Sequence, residues 1–147
     1  YSIDKLSTHD QKKISCFKYE SITEFMAEQK DVIEKSSTVL IDECQFFSDL
    51  PEILHLVNTL HKNVSIFGLD GDFQRNKFGH ILDLIPHCDT IEKLTASCSI
   101  CTVRYGYSSP AIFSHRTSTS NEQVLVGSQD TYQSLCRSCY NLCKSST

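Results

Sequence analysis

Apolar side chains recur at helical spacing in two stretches of the first half of the chain. The first follows Ser21-Ile22-Thr23-Glu24, a capping box in which the serine hydroxyl and the glutamate can satisfy amide groups at a helix start. It predicts a helix to about Lys35 that buries Phe25, Val32 and Ile33. The second begins after Ser48 or Asp49, has Pro51 in its first turn, and carries an apolar face of Ile53, Leu56, Val57 and Leu60.

Two short runs of consecutive apolar residues lie between and after these helices. Residues 38–41 and 64–69 are typical of strands buried on both faces, and each run ends in carboxylates. Alternating helices and strands predict an α/β fold with a parallel sheet flanked by helices. Because ligands of such sheets gather at the carboxyl ends of the strands, we expect Asp42, Glu43 and Asp70 along one edge of a crevice.

The remaining segments show less regular patterns. Residues 1–18 have no clear period and are predicted to be mostly loop, whereas a short helical stretch is expected around residues 80–85. From about Thr95 onward the chain is rich in Cys, Ser, Thr and Tyr. We therefore predict two domains, an α/β domain over residues 1–94 and a small second domain over residues 95–147.

The second domain holds two C-x-x-C pairs, Cys98 with Cys101 and Cys136 with Cys139. Two residues between paired cysteines let each turn present two sulfurs to one ion, and two such turns complete the tetrahedron that zinc prefers. Four thiolates leave no open coordination position, so the predicted Zn²⁺ is structural. Buried free cysteines or two disulfides are the alternatives. A redox pair is disfavoured because neither pair is predicted to open a helix after a strand.

The segment between the two cysteine pairs is predicted to be a long loop pinned at its base by the metal. Residues 123–127 are expected to form one short strand within it. Cys143 lies near the second pair, but the repeated x-x spacing favours Cys139 as the ligand.

Charge and composition exclude several classes of function. Fourteen basic and eighteen acidic residues give a net charge of −4, which disfavours nonspecific nucleic-acid binding. No apolar run reaches the roughly 18 residues of a membrane span, and no segment resembles a signal peptide. We expect a cytoplasmic protein with no nucleic-acid or membrane partner.

Four ordered motifs resemble those of the zinc-containing thymidine kinases, the family that includes vertebrate cytosolic and poxviral enzymes. Residues 41–47 (IDECQFF) are similar to the family's I-D-E-G/A-Q-F-F signature, and residues 69–79 (LDGDFQRNKFG) to its L-D-G-T-F-Q-R-K-x-F-G segment. Residues 93–98 and 132–140 continue the match. This resemblance implies a P-loop, RecA-like domain, here truncated, followed by a zinc-ribbon lasso domain.

The resemblance also implies transfer of the γ-phosphate of ATP, with Mg²⁺, to the 5′-hydroxyl of deoxythymidine, within nucleotide salvage and DNA synthesis. It makes Glu43 the general base and places Asp42, Glu43, Cys44 and Gln45 on the Mg²⁺ and nucleotide side. The implied nucleoside-binding residues are Phe46, Leu69, Phe73, Gln123, Val124, Leu125, Val126, Gly127 and Tyr132. Core packing is the alternative for Phe46 and Phe73. The family also suggests a homo-oligomer, commonly a tetramer.

The sequence departs from the family pattern at three points. Cys44 stands where a small residue is usual, and Asp72 replaces the usual Thr. No G-x-x-x-x-G-K-S/T phosphate loop occurs in the 147 residues. We therefore expect the missing loop to lie upstream and the chain alone to transfer phosphate poorly or not at all. The alternative functions are a noncatalytic zinc-ribbon interaction protein and a degenerate kinase relative that only binds nucleosides.

Overall fold

The computed structural model describes residues 3–7, 13–118, 120, 122–125 and 131–145, with residues 3–7 described by their backbone alone. The helices are α1 (Ile22–Glu28), α2 (Lys30–Lys35), α3 (Leu54–Asn58), α4 (Ser99–Tyr105) and α5 (Arg137–Ser145). The strands are β1 (Ile3–Ser7), β2 (Lys13–Phe17), β3 (Thr38–Ile41), β4 (Asn63–Ile66), β5 (Ala96–Ser97), β6 (Pro110–Ala111), β7 (Phe113–Arg116) and β8 (Tyr132–Leu135). Short 3₁₀ segments cover Cys44–Phe46, Leu50–Ile53 and Ile81–His87.

The chain forms two compact units, which are described separately below. The first unit comprises residues 1–68 and 79–83, and the second comprises residues 69–78 and 84–147. The division into functional domains at residue 95 stays a prediction. Within the described residues, no helix is both long and apolar enough to cross a bilayer.

A small parallel sheet lies in the first unit, as predicted. Strands β3 and β4 pair in parallel, with Val39 opposite Val64 and Ile41 opposite Ile66. The expectation that β3 is buried on both faces is wrong: Val39 and Ile41 are buried, but Leu40 is 69% exposed. Side chains alternate between the two faces of a strand, and in this unit only one face of β3 is covered.

An antiparallel hairpin also belongs to the first unit. Strands β1 and β2 pair from Ile3 opposite Phe17 to Ser7 opposite Lys13, so the prediction of loop over residues 1–18 is wrong. This pairing leaves little trace in the hydrophobic pattern because β2 is largely exposed, with Ile14 65% exposed. An exposed strand needs no alternation of apolar and polar residues.

The predicted helix over residues 21–35 is present but divided. Helix α1 ends and α2 begins at Gln29, whose buried side chain donates to the Tyr19 hydroxyl at 2.5 Å. Ile33 is buried as expected, Phe25 is half-buried, and Val32 is 41% exposed, so its predicted burial is wrong. The break at Gln29 interrupts the continuous apolar face that was predicted.

Asp49 caps a helix other than the one predicted. Its carboxylate accepts from the Ser21 hydroxyl at 2.8 Å and from the amides of Ile22 and Thr23 at 3.0 and 2.9 Å, at the start of α1. Burial opposes ionisation of Asp49, but these hydrogen bonds outweigh it and hold the carboxyl pKa far below its ordinary value. Half of the capping box is confirmed, because the Ser21 hydroxyl accepts from the Glu24 amide at 3.2 Å.

The residues after Asp49 form a 3₁₀ turn that continues into α3. Leu50, Ile53 and Leu56 are buried in this stretch, whereas Leu60 is 41% exposed and lies beyond the end of the helix. The predicted apolar face is therefore confirmed at Ile53 and Leu56 but does not extend to Leu60.

The second unit contains two short antiparallel sheets and two helices. Strand β5 pairs with β6, and β7 pairs with β8. The segment predicted to be one long loop therefore contains helix α4 and three strands. In its described part, residues 123–125 form no strand, while Val126 and Gly127 lie outside the described residues. The buried core of this unit consists of Cys98, Cys101, Ala111, Leu135, Cys139 and Tyr140.

Candidate functional site

The four cysteines predicted to bind zinc converge in the second unit. Their sulfur atoms all lie within 4.8 Å of one another. The Sγ of Cys101 is 3.9 Å from that of Cys136 and 3.7 Å from that of Cys139. A tetrahedral ion with Zn–S bonds of about 2.3 Å separates its sulfurs by roughly 3.8 Å. The donor set and spacing therefore fit a closed, structural Zn²⁺, with Cys139 rather than Cys143 in the cluster.

The first cysteine of each pair lies between a strand and a helix, and the second lies in the first turn of that helix. Cys98 follows β5 and caps α4, and Cys136 lies between β8 and α5. The argument that neither pair opens a helix after a strand is thus wrong, because the preceding strands are too short to be visible in the sequence pattern. Metal binding is still favoured over a redox pair, since all four sulfurs face one point.

The amides at the two helix starts favour ionised sulfurs. Burial raises the pKa of Cys98, but hydrogen bonds from the amides of Cys136 and Cys101 outweigh it and lower the pKa to about 6. Burial, together with the neighbouring sulfurs, raises the pKa of Cys139 to about 12. Four adjacent thiolates repel one another, so a cation is needed to hold all of them ionised.

Tyr140 connects the cysteine cluster to the segment that carries Phe73. It directly follows Cys139, is fully buried, and donates its hydroxyl to the Phe73 carbonyl at 2.6 Å. Its ring packs against Phe113, with centroids 5.0 Å apart, and under the Arg75 guanidinium. Helix α5, which carries Cys139 and directly follows Cys136, thus also fixes the backbone at Phe73.

Phe73, predicted to pack around the thymine, is nine-tenths buried. The guanidinium carbon of Arg116 lies 3.8 Å from the centroid of its ring, which is a close cation–π contact. Arg116 also donates to the Tyr132 hydroxyl at 2.5 Å and to the Gln123 carbonyl at 3.1 Å. The structure therefore brings together Phe73, Gln123 and Tyr132, three of the predicted nucleoside-site residues.

Leu125 joins the same group, since its carbonyl accepts from the Tyr132 hydroxyl at 3.3 Å. Val124 lies between two members of the group and is exposed. Asp72 also contacts this group, because its carboxylate accepts a hydrogen bond from the side-chain amide of Gln123 at 3.0 Å. We call Asp72, Phe73, Arg116, Gln123, Leu125 and Tyr132 the Phe73 cluster.

Asp72, which departs from the family pattern, organises the turn around Phe73. Its carboxylate accepts from the amides of Gln74 and Asn76 at 2.9 and 2.8 Å. Burial opposes ionisation, but hydrogen bonds from Gln123, Asn76 and Gln74 outweigh it and hold the carboxyl pKa below its ordinary value. Nearby hydrogen-bond donors thus stabilise the negative charge of the Asp72 carboxylate.

The predicted catalytic carboxylates lie in the first unit, directly after β3. Asp42 and Glu43 are both exposed, and Glu43 has a left-handed backbone with φ of 54°. This conformation is uncommon for a residue other than glycine and typically marks strain. The Glu43 carboxylate accepts from the Gln45 side-chain amide at 2.5 Å. The turn therefore presents the carboxylate to solvent in an orientation set by Gln45.

Cys44 and Gln45 form the buried side of this turn. The Cys44 thiol donates to the Ile41 carbonyl at 3.2 Å, and burial raises its pKa to about 11. Cys44 has no positive φ, so the family's small residue is replaced without backbone strain at that position. A Cβ on Gly79, where φ is 59°, would lie 2.3 Å from the Gln45 carbonyl oxygen, and one on Gly68 would lie 2.7 Å from Oε1 of Gln45. A side chain at either glycine would therefore clash with Gln45.

Three predicted residues remain exposed in their own units. Phe46 is 54% exposed in the first unit, and Leu69 is 45% exposed in the second. Asp70, the carboxylate that follows the second apolar run, forms an ion pair with Lys93 in the second unit. Lys93 belongs to one of the motifs that carry the family resemblance, and in the structure its ammonium group contacts the Asp70 carboxylate.

Sequence reasoning missed Arg116 and Tyr140 as parts of the site. Arg116 is 5% exposed and Tyr140 fully buried, and burial of an arginine cannot be seen from the residue alone. The available signal for Tyr140 was position, because it directly follows a predicted zinc ligand, whereas no sequence signal marked Arg116.

Comparisons with known proteins point to one family. The family model described as thymidine kinase matches residues 1–140. A thymidine kinase of Oryza sativa subsp. japonica is 36% identical over 142 residues, which cover 95% of this chain and 50% of the relative. A thymidine kinase of Monkeypox virus is 36% identical over 92% of this chain and 71% of its own length, and thymidine kinase 1 of Dictyostelium discoideum is 38% identical over 95% and 58%. The chain thus spans about half the length of the rice relative.

Proposed function

The chain belongs to the thymidine kinase family, and on this premise we propose that it contributes the deoxythymidine-binding and base-catalysis elements of an ATP-dependent thymidine kinase. The observation that carries the proposal is the Phe73 cluster. It collects an aromatic ring, a tyrosine and the carbonyl-bearing segment 122–125, the groups that the family would use to hold a nucleobase.

In the proposed reaction, Glu43 accepts the proton of the nucleoside 5′-hydroxyl, and its exposed carboxylate is free to meet a substrate. Asp42 would hold Mg²⁺, which neutralises phosphate charge when bound. The backbone after Glu43 and the Gln45 side chain would position the nucleotide. Phe46, Leu69, Phe73 and Tyr132 would surround the nucleoside, and residues 123–127 would read the polar edge of the base through backbone groups.

The four cysteines would hold a zinc ion whose role is structural. It would fix the start of α5, and through Tyr140 the carbonyl of Phe73, so that the metal supports the nucleoside site at a distance. The reaction itself uses no open zinc position.

Phosphate transfer needs a phosphate loop in addition to these elements. No such motif occurs in the sequence, and we propose that this chain alone transfers phosphate poorly and acts with a P-loop, RecA-like segment supplied by a longer protein. Glu43-dependent thymidine phosphorylation by the 147-residue chain would contradict this. A cytoplasmic location and a homo-oligomer are proposed from the family resemblance alone.

Nucleoside binding by the zinc-loaded chain tests the proposal directly. We expect thymidine to bind in preference to uridine, as measured by titration calorimetry. Phe73→Leu, which keeps an apolar side chain of similar size, should weaken thymidine binding because it removes the aromatic face. Phe17→Ala, at an exposed phenylalanine of β2, is the control and should bind as the unmodified chain does. Equal binding of thymidine and uridine would count against a thymidine site.

A further inference from the structure

Arg116 is a buried cation with no acidic partner among the described residues. It is 5% exposed, and its recorded hydrogen bonds all go to neutral groups. Burying a guanidinium without a carboxylate is costly, so a chain keeps one where its several donors are needed. The location of those donors shows what Arg116 does.

The guanidinium of Arg116 donates hydrogen bonds to three carbonyls that lie close together in the sequence. Its Nη1 donates to the carbonyls of Ser120, at 3.1 Å, and Glu122, and its Nη2 donates to the carbonyl of Gln123, at 3.1 Å. Among the described residues of this stretch, the Glu122 amide contacts the Ser120 hydroxyl, and residues 120 and 122–123 belong to no helix or strand. Arg116 thus supplies the order that a helix or strand would otherwise provide.

The same guanidinium fixes two aromatic side chains. It lies over the Phe73 ring at 3.8 Å and donates to the Tyr132 hydroxyl at 2.5 Å. A planar guanidinium can do all of this at once, because it stacks through its face while donating through its edge, which an ammonium cannot do.

One donor of this side chain has no partner within the part of the chain that the structure describes. The Nε–H of Arg116 is buried and has no hydrogen-bond partner among the described residues. A buried donor without a partner costs about 1–3 kcal/mol and calls for an explanation such as a neighbouring ligand site.

We propose that Arg116 is a positioning residue of the nucleoside site. It holds the backbone at Ser120, Glu122 and Gln123, together with Tyr132, in register with Phe73, so that this backbone is ordered before thymidine binds. The inference rests on the proposed function for the identity of the ligand. The ordering of the segment does not depend on any ligand and can be measured separately.

The first experiment uses zinc-loaded chain without nucleoside. Endoproteinase Glu-C cleavage after Glu122 is followed by mass spectrometry, with cleavage after Glu24 in α1 as an internal reference for folding. Arg116→Gln should speed cleavage after Glu122 about tenfold or more, while the matched control Arg104→Gln, at an exposed arginine of α4, leaves it unchanged. An unchanged rate after Glu122 in Arg116→Gln would overturn the proposal.

The second experiment measures thymidine and uridine binding to the same variants. Arg116→Gln should weaken thymidine binding about ten- to a hundredfold, because the cost of ordering the segment then falls on binding, and it should reduce the preference over uridine. Arg116→Lys should give intermediate values in both experiments, since lysine keeps the charge without the planar fork. A variant that is cleaved faster yet binds thymidine normally would overturn the positioning role.

Two further outcomes separate the hypotheses. If the unmodified chain binds no thymidine, the proposed function fails, and the cleavage assay alone decides whether Arg116 orders the segment. If Arg116→Gln no longer binds zinc, Arg116→Lys is tested in its place. If the cleavage rate and the thymidine affinity of Arg116→Lys then equal those of the unmodified chain, the proposal is overturned.

Discussion

Glu43 in the first unit is exposed and has a left-handed backbone conformation. Phe73 in the second unit is instead nine-tenths buried beneath the stacked guanidinium of Arg116. The turn around Glu43 is shaped by close contacts of a few residues with one another and with two glycines. The Phe73 cluster is assembled by side chains far apart in sequence, with Gln123 and Asp72 separated by 51 positions.

Under the proposed function, this difference corresponds to two chemical tasks. A group that exchanges a proton with a substrate has to remain accessible, and its exact placement can come from a short rigid turn. A surface that recognises a base has to be ordered in advance, because every group immobilised on binding reduces affinity. The two units should therefore fail in different ways when they are perturbed.

Removal of zinc should produce the largest effect, and only in the second unit. Cys101→Ser, or chelation, should abolish metal binding, because structural zinc supplies roughly 10–16 kcal/mol in small zinc domains. Thymidine binding should be lost, while the nuclear magnetic resonance signals of β3 and β4 persist. Cys88→Ser, at an exposed thiol outside the cluster, is the control. An apo protein that binds thymidine with unchanged affinity would show that the metal does not support the Phe73 cluster.

Glu43→Gln should separate chemistry from recognition. In a protein that supplies the phosphate loop, turnover should fall roughly 10²- to 10⁴-fold, since the amide cannot accept the proton. Thymidine binding should stay nearly the same, because the change is isosteric and the Gln45 contact needs only an oxygen acceptor. Steady-state kinetics and calorimetry on the same preparation check both parts. Full turnover in this variant would remove Glu43 from its proposed role.

Gly79→Ala and Gly106→Ala compare the two units at left-handed glycines. The change Gly79→Ala, at a φ of 59°, should lower the free energy of unfolding by about 2–3 kcal/mol, because backbone strain adds to a clash with the Gln45 carbonyl. Gly106, with φ of 70° at the end of α4, has open space around its Cβ position and should cost only about 1 kcal/mol. Urea unfolding of both variants gives the comparison. Equal costs would mean that the turn after β3 adjusts more easily than its contacts suggest.

Asp49→Ala should have a smaller effect, confined to the first unit and dependent on pH. Loss of the cap on α1 should cost about 1–2 kcal/mol near neutral pH. Because the folded-state pKa of Asp49 is lowered, its contribution is complete above the ordinary carboxyl pKa of about 4. It disappears as the pH falls below that value.

Unfolding curves at pH 7 and pH 3 test this dependence. The difference in stability between the unmodified chain and Asp49→Ala should shrink at pH 3. Glu52→Ala, at an exposed acid of the following 3₁₀ turn, is the matched control and should change little at either pH. A difference that does not depend on pH would mean that the cap does not act through the ionised carboxylate.

The sequence predicted features that depend on short-range spacing. The parallel pairing of β3 and β4 followed from two apolar runs separated by a helical pattern, and the zinc ligands followed from two repeated cysteine pairs. Both patterns are local enough to read directly. Phe73, Gln123 and Tyr132 were identified by resemblance to a family, not by spacing.

Features that depend on distant partners could not be predicted in the same way. The acceptors of Arg116 and the Phe73 carbonyl that Tyr140 contacts are set by packing of the second unit. The cap from Asp49 to α1 joins residues 27 and 28 positions apart. The short strands β6, β7 and β8 carry no periodic pattern, which is why a loop was expected there.

The left-handed backbone at Glu43 has a consequence for how this position can change over time. Glycine or asparagine would suit that conformation better, so a chain selected only for stability would be expected to lose the glutamate. Glu43→Gly should therefore make the folded state more stable by up to about 1 kcal/mol while removing the carboxylate. If the side chain serves catalysis, then the strain is retained by selection on activity, and a homologue that has lost the activity would be free to relax it.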